Sequence, residues 1–205
     1  MKNKKMILGI AIILVIGLTM IACNKSGGGS SGGGGKSLNS PEALKEFLDS
    51  QAANSPDKPI KVSMAINDPM LKNVADIIKS SGKYVSLNIT GDALKIIGEN
   101  TFRNCETLVN ITIPNTVTSI ENYAFYGCIN IASITIPSSV TNIGWGGTFN
   151  RCDSLNSVTF EGTINISKGD NVSKSAFPGD LREKYLEGGK GKYTRSDDSD
   201  TWTKQ

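Results

Sequence analysis

The stretch LVNITIPNTVTSIENYAFYGC, residues 108–128, decides the fold, because INIASITIPSSVTNI at residues 129–143 repeats its first part. The repeat step is 23 residues and then 24, as the equivalent residues Phe102, Phe125 and Phe149 show. A unit this short cannot enclose a core alone, so successive copies must bury their apolar side chains against each other. The repeat therefore predicts a solenoid.

Three cysteines, Cys105, Cys128 and Cys152, occupy one position of the repeat. Neighbouring rungs ~4.8 Å apart would bring their thiols close together, which leaves a disulfide open as one interpretation. Identical side chains that project in parallel rarely reach the torsion angle a disulfide requires. We expect buried free thiols that act as small apolar side chains.

The segment before the repeats predicts a helix, a strand and a second helix. Ser40-Pro41 is typical of a helix start, and the apolar face that follows predicts a helix ending near Ala53. Residues 60–66 alternate in strand fashion, and Asp68-Pro69 opens a second helix that Gly82 stops. Such a unit would cover the open end of the solenoid, next to a loose first rung that begins at residue 85.

After Phe160 the repeat weakens. Ala176-Phe177 resembles the Ala124-Phe125 pair, with Asp180 at the cysteine position, where it would cap a short helix. Two further segments, around Tyr193 and Trp202, predict a closing hairpin whose rings cover the last rung.

The N-terminus reads as an export signal. Residues 1–23 have a basic start, an apolar run and then Ala22-Cys23. This signal holds three lysines and no acids, so its removal leaves equal numbers of basic and acidic residues and no case for nucleic-acid binding. Cys23 resembles the lipid-acceptor cysteine of a bacterial lipoprotein signal; a plain secretion signal or uncleaved anchor with a coincidental cysteine is the alternative. The Gly/Ser-rich tether that follows favours a lipid anchor.

Polar side chains should line one face of the solenoid, because each short strand alternates apolar and polar residues. The two predicted rows are Asn88, Thr112, Thr135 and Thr159, and Ser86, Asn110, Ser133 and Ser157. They form either a recognition surface or merely the solvated side of a sheet. Trp145, in the glycine-rich insertion of the third copy, either contacts a partner or folds back to fill space.

Catalysis is not predicted. The chain has no histidine, and its carboxylates are scattered over the ends and loops, which leaves few general bases for neutral pH. Asp197, Asp198 and Asp200 lack the glycine and distal glutamate of a calcium loop, so we interpret them as a solvated turn. We expect no catalytic, cofactor or metal site.

The repeats over about residues 85–164 resemble the BspA-like class of leucine-rich repeats, through the IPxxVxxI segment and the following Ala-Phe pair with its cysteine. The flanking segments and the terminal YTRSDDSDTW are similar to those of short spirochaetal lipoproteins built on this repeat. The resemblance implies an extracytoplasmic surface protein of a host-associated bacterium. It also implies binding to extracellular-matrix proteins and adhesion between cells.

Together these observations predict an α/β fold: a short leucine-rich-repeat solenoid of about three to four rungs with an N-terminal helix-strand-helix cap and a C-terminal helix and hairpin cap. The expected divisions are a signal (1–23), a tether (24–38), an N-terminal cap (39–84), the repeats (85–167) and a C-terminal cap (168–205). We expect a monomeric, non-enzymatic lipoprotein that binds a protein or glycan, with Asn110, Thr112, Ser133, Thr135, Ser157, Thr159 and Trp145 as candidate contacts. The outer-membrane surface is favoured over the periplasm; the alternative is a periplasmic or envelope structural lipoprotein with no host ligand.

Overall fold

The structure is a computed structural model that describes residues 38–144, 146–164, 176–197 and 199–205. Several sequence-based predictions therefore lie outside the described residues. They are the signal with Cys23, nearly all of the tether, the insertion residue Trp145, and Asp198 of the acidic turn.

The described residues form three helices and ten strands, arranged as short segments along the chain. The helices are α1 (Pro41–Asp49), α2 (Asp68–Ser81) and α3 (Leu181–Gly188). The strands are β1 (Ile60–Ala65), β2 (Val85–Thr90), β3 (Ile96–Ile97), β4 (Leu108–Thr112), β5 (Ser119–Ile120), β6 (Ser133–Ile136), β7 (Asn142–Ile143), β8 (Ser157–Phe160), β9 (Gly191–Thr194) and β10 (Thr203–Lys204).

The rungs that contain β2, β4 and β6 each have a longer strand on one side and a two-residue strand on another. The longer strands lie in two sheets, with the orders β1-β2-β4 and β10-β9-β8-β6. The two-residue strands of the rungs form a third, parallel sheet, β3-β5-β7, whereas the two-residue β10 belongs to the second sheet. The strands contributed by successive rungs are parallel wherever they pair, as a solenoid requires.

A column of phenylalanine rings runs through the core. Phe102, Phe125, Phe149 and Phe177 stack in order, with ring centroids 5.3, 5.2 and 5.1 Å apart and nearly parallel planes. Phe177 therefore continues the column beyond the third copy. The buried apolar side chains of the rungs and of both ends belong to one continuous core.

The three repeat cysteines are free and buried, which confirms the expectation of thiols in the core. The Cys128 thiol donates to the Phe102 carbonyl and the Cys152 thiol to the Phe125 carbonyl, each at 3.1 Å. These bonds join each rung to the one before it. Each carbonyl also accepts a bond from a backbone amide of its own rung, that of Cys105 at 2.9 Å for Phe102 and that of Cys128 at 3.1 Å for Phe125.

In each repeat, the turn beside the phenylalanine column has left-handed backbone at two positions, one before and one after the stacked phenylalanine. The residue two after each stacked phenylalanine has positive φ; these residues are Asn104, Gly127, Arg151 and Gly179. The residue two before has it as well in the first three copies, at Asn100, Tyr123 and Gly147. Asn and Gly tolerate this region best, so Tyr123 and Arg151 are the strained members.

The N-terminal helices begin and end as local sequence dictates. Ser40 accepts a hydrogen bond from the Ala43 amide, and Asn67 accepts one from the Met70 amide. Gly82 ends α2 in the left-handed conformation, as expected. The first helix ends at Asp49 rather than near Ala53, because the Ser50 amide already closes the last turn.

Beyond the repeats, β9 pairs antiparallel with β8, and β10 pairs antiparallel with β9. Tyr193 and Trp202 are both buried there, and Tyr193 packs edge-on against Phe160 with ring centroids 5.7 Å apart. The helix-capping role predicted for Asp180 is wrong. Its side chain makes no capping hydrogen bond and instead accepts one from the Trp202 backbone amide at 2.7 Å, so it holds the final segment in place.

Candidate functional site

The predicted polar rows lie side by side, but in two halves. In one sheet Ser86 pairs with Asn110 and Asn88 with Thr112. In the other sheet Ser133 pairs with Ser157 and Thr135 with Thr159. The hydrogen-bonded ladder does not continue between β4 and β6, which belong to different sheets.

Exposure differs along this polar face, which we define as the outward side chains of β2, β4, β6 and β8. Asn110, Thr112, Ser133 and Thr135 are exposed. The other two predicted contact residues, Ser157 and Thr159, are half-buried because β9 covers their outer edge. The most accessible part of the face is therefore its middle, around β4 and β6.

The hydrogen-bonding groups in the middle of the polar face are available to a partner. Within the described residues, the side chains of Asn110, Thr112, Ser133 and Thr135 make no hydrogen bond to the protein. In contrast, Asn88 donates from Nδ2 to the Ser63 hydroxyl on β1, at 2.9 Å. An amide and three hydroxyls thus offer both donors and acceptors to solvent.

A groove of about 540 Å³ opens on this face, at the division between β4 and β6. Its lining includes the four exposed polar residues, two prolines and one carboxylate; the residues are Asn110, Ile111, Thr112, Ile113, Pro114, Asn115, Ser133, Ile134, Thr135, Pro137 and Glu161. The groove therefore coincides with the middle of the predicted site.

Few charged side chains lie near the polar face. Lys61 on β1 is the register partner of Ser86, and Lys192 on β9 is the register partner of Thr159, so one lysine stands at each end of the rows. Among the residues that the structure describes, Glu161 is the only charged one that lines the groove. A partner that binds here would therefore contact mainly uncharged hydrogen-bonding groups.

The insertion loop packs closely on the rung before it. The Gly144 amide donates to the Ile120 carbonyl at 2.7 Å, and the Gly146 amide donates to Asn122 Oδ1 at 3.0 Å. A Cβ at Gly144 would collide with the Asn122 backbone, so only glycine fits there. The structure thus explains the glycines on both sides of Trp145, which itself lies outside the described residues.

A second exposed cluster, on the turn side of the solenoid, involves Arg103, which the sequence reasoning missed. Its guanidinium lies 5.3 Å from the ring centroids of both Tyr123 and Tyr126. The two rings meet edge to face with centroids 5.9 Å apart, and Tyr123 is 37% exposed. Arg103 and Tyr126 occupy the same repeat position, so alignment of the copies could have revealed their contact.

No metal or catalytic arrangement emerges from the described part of the chain. Among its residues there is no group of three or more His, Cys, Asp or Glu side chains that could hold a metal ion. Asp197 accepts a hydrogen bond from Asn156 Nδ2 at 3.2 Å, and the Asp200 carbonyl accepts one from the Asp180 amide at 2.9 Å. These two acidic residues therefore take part in local contacts that hold the C-terminal segment.

Comparison with known proteins supports the repeat assignment. Residues 78–178 match the model of the BspA type leucine-rich repeat region, in six copies. No curated protein sequence matches the chain.

Two solved structures are similar. One is the T. pallidum leucine-rich repeat protein TpLRR, with 26% identity over 47% of this chain and 39% of that chain and a TM-score of 0.33. The other is a leucine-rich cell surface protein from Faecalibacterium prausnitzii A2-165, with 20% identity over 51% of this chain and 35% of that chain and a TM-score of 0.36. The chain spans well under two thirds of the length of either protein.

Proposed function

Residues 78–178 of this chain form a BspA-type leucine-rich repeat region, and from that premise we propose that the protein is a surface-exposed binding module without enzymatic activity. Its partner is a protein or a glycan, as in adhesion to host matrix or between cells, and the protein acts as a monomer. Stacked repeats favour this role because they present one extended face to a partner.

The observation that carries the proposal is the set of unpaired polar side chains in the middle of the polar face. Asn110, Thr112, Ser133 and Thr135 are exposed and make no hydrogen bond to the described protein. Their backbones belong to strands with a buried apolar side, so the groups are held in place before a partner arrives. Preorganised groups lose little entropy on binding.

The half-buried residues Ser157 and Thr159 and the insertion residue Trp145 complete the proposed contact set. An exposed tryptophan is a frequent energetic centre of interfaces. Replacement of Trp145 with Ala should weaken partner binding at least tenfold if the indole contacts the partner. An unchanged affinity together with lower stability would assign Trp145 to local packing instead.

Paired lysine variants test the face. Thr112→Lys with Thr135→Lys places two long cations on the polar face. Thr118→Lys with Thr141→Lys does the same on another side, because these exposed threonines directly precede β5 and β7. Binding of the full chain to immobilised extracellular matrix should fall at least tenfold in the first variant only. Equal binding by both variants would refute the assignment of the polar face.

We further propose that Cys23 is acylated and that the Gly/Ser-rich tether holds the repeat domain away from the membrane. Among the described residues, no helix is both long and apolar enough to cross a bilayer. Palmitate labelling should mark the wild-type protein and not the Cys23→Ala variant. A mature protein without lipid by mass spectrometry would contradict this anchor.

Protease treatment of intact cells distinguishes surface display from a structural role inside the envelope. Cleavage in the Gly/Ser-rich tether should release the repeat domain if the protein is on the outer-membrane surface. Full protection, with cleavage only after the outer membrane is permeabilised, would favour a periplasmic lipoprotein that has no host ligand. A known periplasmic protein must remain intact as the control.

A further inference from the structure

The first sheet of the solenoid ends at β1, which pairs with β2 on one side only. The Ile60 amide donates to the Tyr84 carbonyl at 2.8 Å, so Ile60 turns its main-chain groups towards β2. The main-chain groups of successive residues in a strand point alternately to opposite sides. The N–H and C=O groups of Lys61, Ser63 and Ala65 therefore point away from the sheet.

These six outward groups have no hydrogen-bond partner among the residues that the structure describes. Lys61 and Ala65 are exposed, and Ser63 is half-buried. The strand is six residues long, which is as long as any strand in the described ranges. An open edge of this length is a template for the addition of a further strand.

Side chains of α2 bind main-chain groups on two other sides of the same end of the solenoid. Beside β3, the Asp68 carboxylate accepts hydrogen bonds from the Lys95 and Ile96 amides, at 2.8 and 3.1 Å. Beside the phenylalanine column, the Lys79 ammonium donates to the Arg103 carbonyl at 3.1 Å. Within the described part of the chain, no side chain does the same for the outward groups of β1.

We infer that the edge of β1 binds an extended segment of a partner protein, which adds a strand to the first sheet. This surface goes beyond the proposed function, because β2 separates it from the middle of the polar face. Its donors and acceptors recur at every second residue, about 7 Å apart, which is also their spacing in an added strand. In this mode of recognition the main chain supplies affinity and the side chains supply specificity.

Lys61 indicates the charge of the segment. It is the only charged residue of β1 and makes no ion pair with the residues that the structure describes. Opposite charges directly across two strands are favourable, and like charges are unfavourable. We therefore expect a carboxylate side chain opposite Lys61 and β-favouring residues along the rest of the segment. A second copy of this chain would instead bring another Lys61 to the edge.

Amide exchange in the free protein tests whether the edge is open. The amides of Val62 and Met64 face β2 and should exchange slowly. Those of Lys61, Ser63 and Ala65 should exchange at least about tenfold faster. NMR of the full chain in detergent measures this alternation. Uniformly slow exchange along β1 would show that the edge is covered, which overturns the inference.

A peptide array tests the ligand. It holds segments of about nine residues that alternate valine and threonine, with one glutamate or one lysine at each position in turn. The full chain in detergent should bind peptides with glutamate more tightly than those with lysine. In the best peptide, N-methylation of alternate amides should abolish binding in one frame and change it less than about threefold in the other, because only one set of amides faces β1.

Two variants of Ser63 form a matched pair. Both lose the hydroxyl that accepts a hydrogen bond from Asn88, but only Ser63→Pro also loses the outward N–H. Proline is tolerated in an edge strand when its missing N–H faces away from the sheet. Ser63→Pro should weaken binding of the best peptide at least about tenfold, through the lost donor and the ring at the edge. Ser63→Ala should weaken it less than about threefold.

Reversal of the charge on β1 tests specificity without a change in the backbone. Lys61→Glu should bind the peptide with lysine more tightly than the peptide with glutamate, by about fivefold. This variant and the N-methylated peptides keep the inference testable if Ser63→Pro does not fold. An unchanged preference for glutamate would contradict the contact with Lys61.

The outcomes distinguish this inference from the proposed function. Peptide binding that is lost in Ser63→Pro and kept in Thr112→Lys with Thr135→Lys supports a separate site on β1. Matrix binding without any peptide bound more tightly than about 1 mM overturns the inference alone. Tolerance of N-methylation in both frames, equal weakening in the two Ser63 variants, or self-association that Ser63→Pro abolishes does the same. Peptide binding without binding to matrix or cells overturns only the function proposed for the polar face.

Discussion

At the residue scale, the turns beside the phenylalanine column show how one backbone conformation is held by different side chains. The four residues that follow the column, Asn104, Gly127, Arg151 and Gly179, share positive φ. A non-glycine residue in the left-handed region costs about 1–2 kcal/mol. Arg151 is exposed, and within the described residues its side chain makes no hydrogen bond or ion pair that would offset that cost.

Replacement of Arg151 with Gly should therefore stabilise the protein. We expect a gain of about 0.5–1 kcal/mol in the free energy of unfolding, since part of the relieved strain is offset by the greater entropy of glycine in the unfolded chain. Urea denaturation of both proteins measures the difference. The opposite kind of change at the equivalent position of another copy, Gly127→Ala, should destabilise the protein, because the new Cβ would collide with Asn104 Oδ1. Equal effects of Arg151→Gly and Gly127→Ala on the free energy of unfolding would contradict the explanation.

The cysteine thiols illustrate a second effect at this scale, which is the cost of charging a buried group. Burial raises the pKa of Cys152 from its ordinary value of 9.0 to about 12, and it raises the pKa of Cys128 well above that ordinary value. The folded protein therefore keeps these protons at pH values where the unfolded chain releases them. The resulting stability is present below pH 9 and is lost as the pH rises towards 12.

We expect the free energy of unfolding to fall between pH 9 and 12, by up to about 1.4 kcal/mol per pH unit for each buried thiol. Denaturant titrations across this range measure the slope. Cys152→Ala should lower the slope because it removes one titrating thiol, although it also lowers stability at pH 7. A slope that is the same in both proteins would show that the thiols do not control this pH dependence.

At the scale of elements, the phenylalanine column makes each rung depend on its neighbours. Phe125 is fully buried between the rings of Phe102 and Phe149. A single rung has too little apolar surface to be stable alone. The ring of Phe125 therefore stabilises three rungs at once.

Phe125→Ala should lower the free energy of unfolding by about 3–5 kcal/mol, through lost apolar burial and the cavity that remains. Phe125→Leu, which retains much of the volume, should cost clearly less. Thermal denaturation followed by circular dichroism compares the two. A similar, small loss in both would mean that the column does not couple the rungs.

The sequence predicted these elements unequally well, for physical reasons. The limits of α2 were readable because Pro69 and Gly82 act locally on the backbone. The division between β4 and β6 was not, because Pro114 and Pro137 occupy equivalent positions and the ladder between β2 and β4 forms although Pro114 also lacks an N–H. A repeat pattern assigns the same strand to every rung and carries no information about where a ladder between two rungs is interrupted.

The role of Asp180 shows the same limit. Its place before a helix predicted a cap, and α3 does begin at the next residue. Its carboxylate nevertheless binds the Trp202 amide, which is 22 residues away along the chain. A contact of that range depends on how β9 and β10 fold back, and local pattern carries no information about it.

At the scale of the whole molecule, the ends of the solenoid differ from its middle because each outer rung has a neighbour on one side only. At the C-terminal end, Trp202 is 1% exposed, and its indole N–H donates to the Pro178 carbonyl at 2.9 Å. The Arg195 guanidinium lies 5.2 Å from the Trp202 ring centroid, and it also donates to the Leu155 carbonyl at 2.7 Å. The tryptophan thus connects the final segment to the last repeat.

Trp202→Ala should lower the free energy of unfolding by about 3–5 kcal/mol, because it removes a large buried side chain. Because each rung contacts only its neighbours, the loss of protection from amide hydrogen exchange should also be local, greatest in β8 and β9 and smaller in β2. Amide hydrogen exchange resolved along the chain measures this gradient. Tyr123→Ala, which truncates an aromatic that is 37% exposed, is the control and should cost about 1 kcal/mol or less. Uniform loss of protection from β2 to β9 would show that the molecule unfolds as one cooperative unit, in which the end segment matters as much to the first rung as to the last.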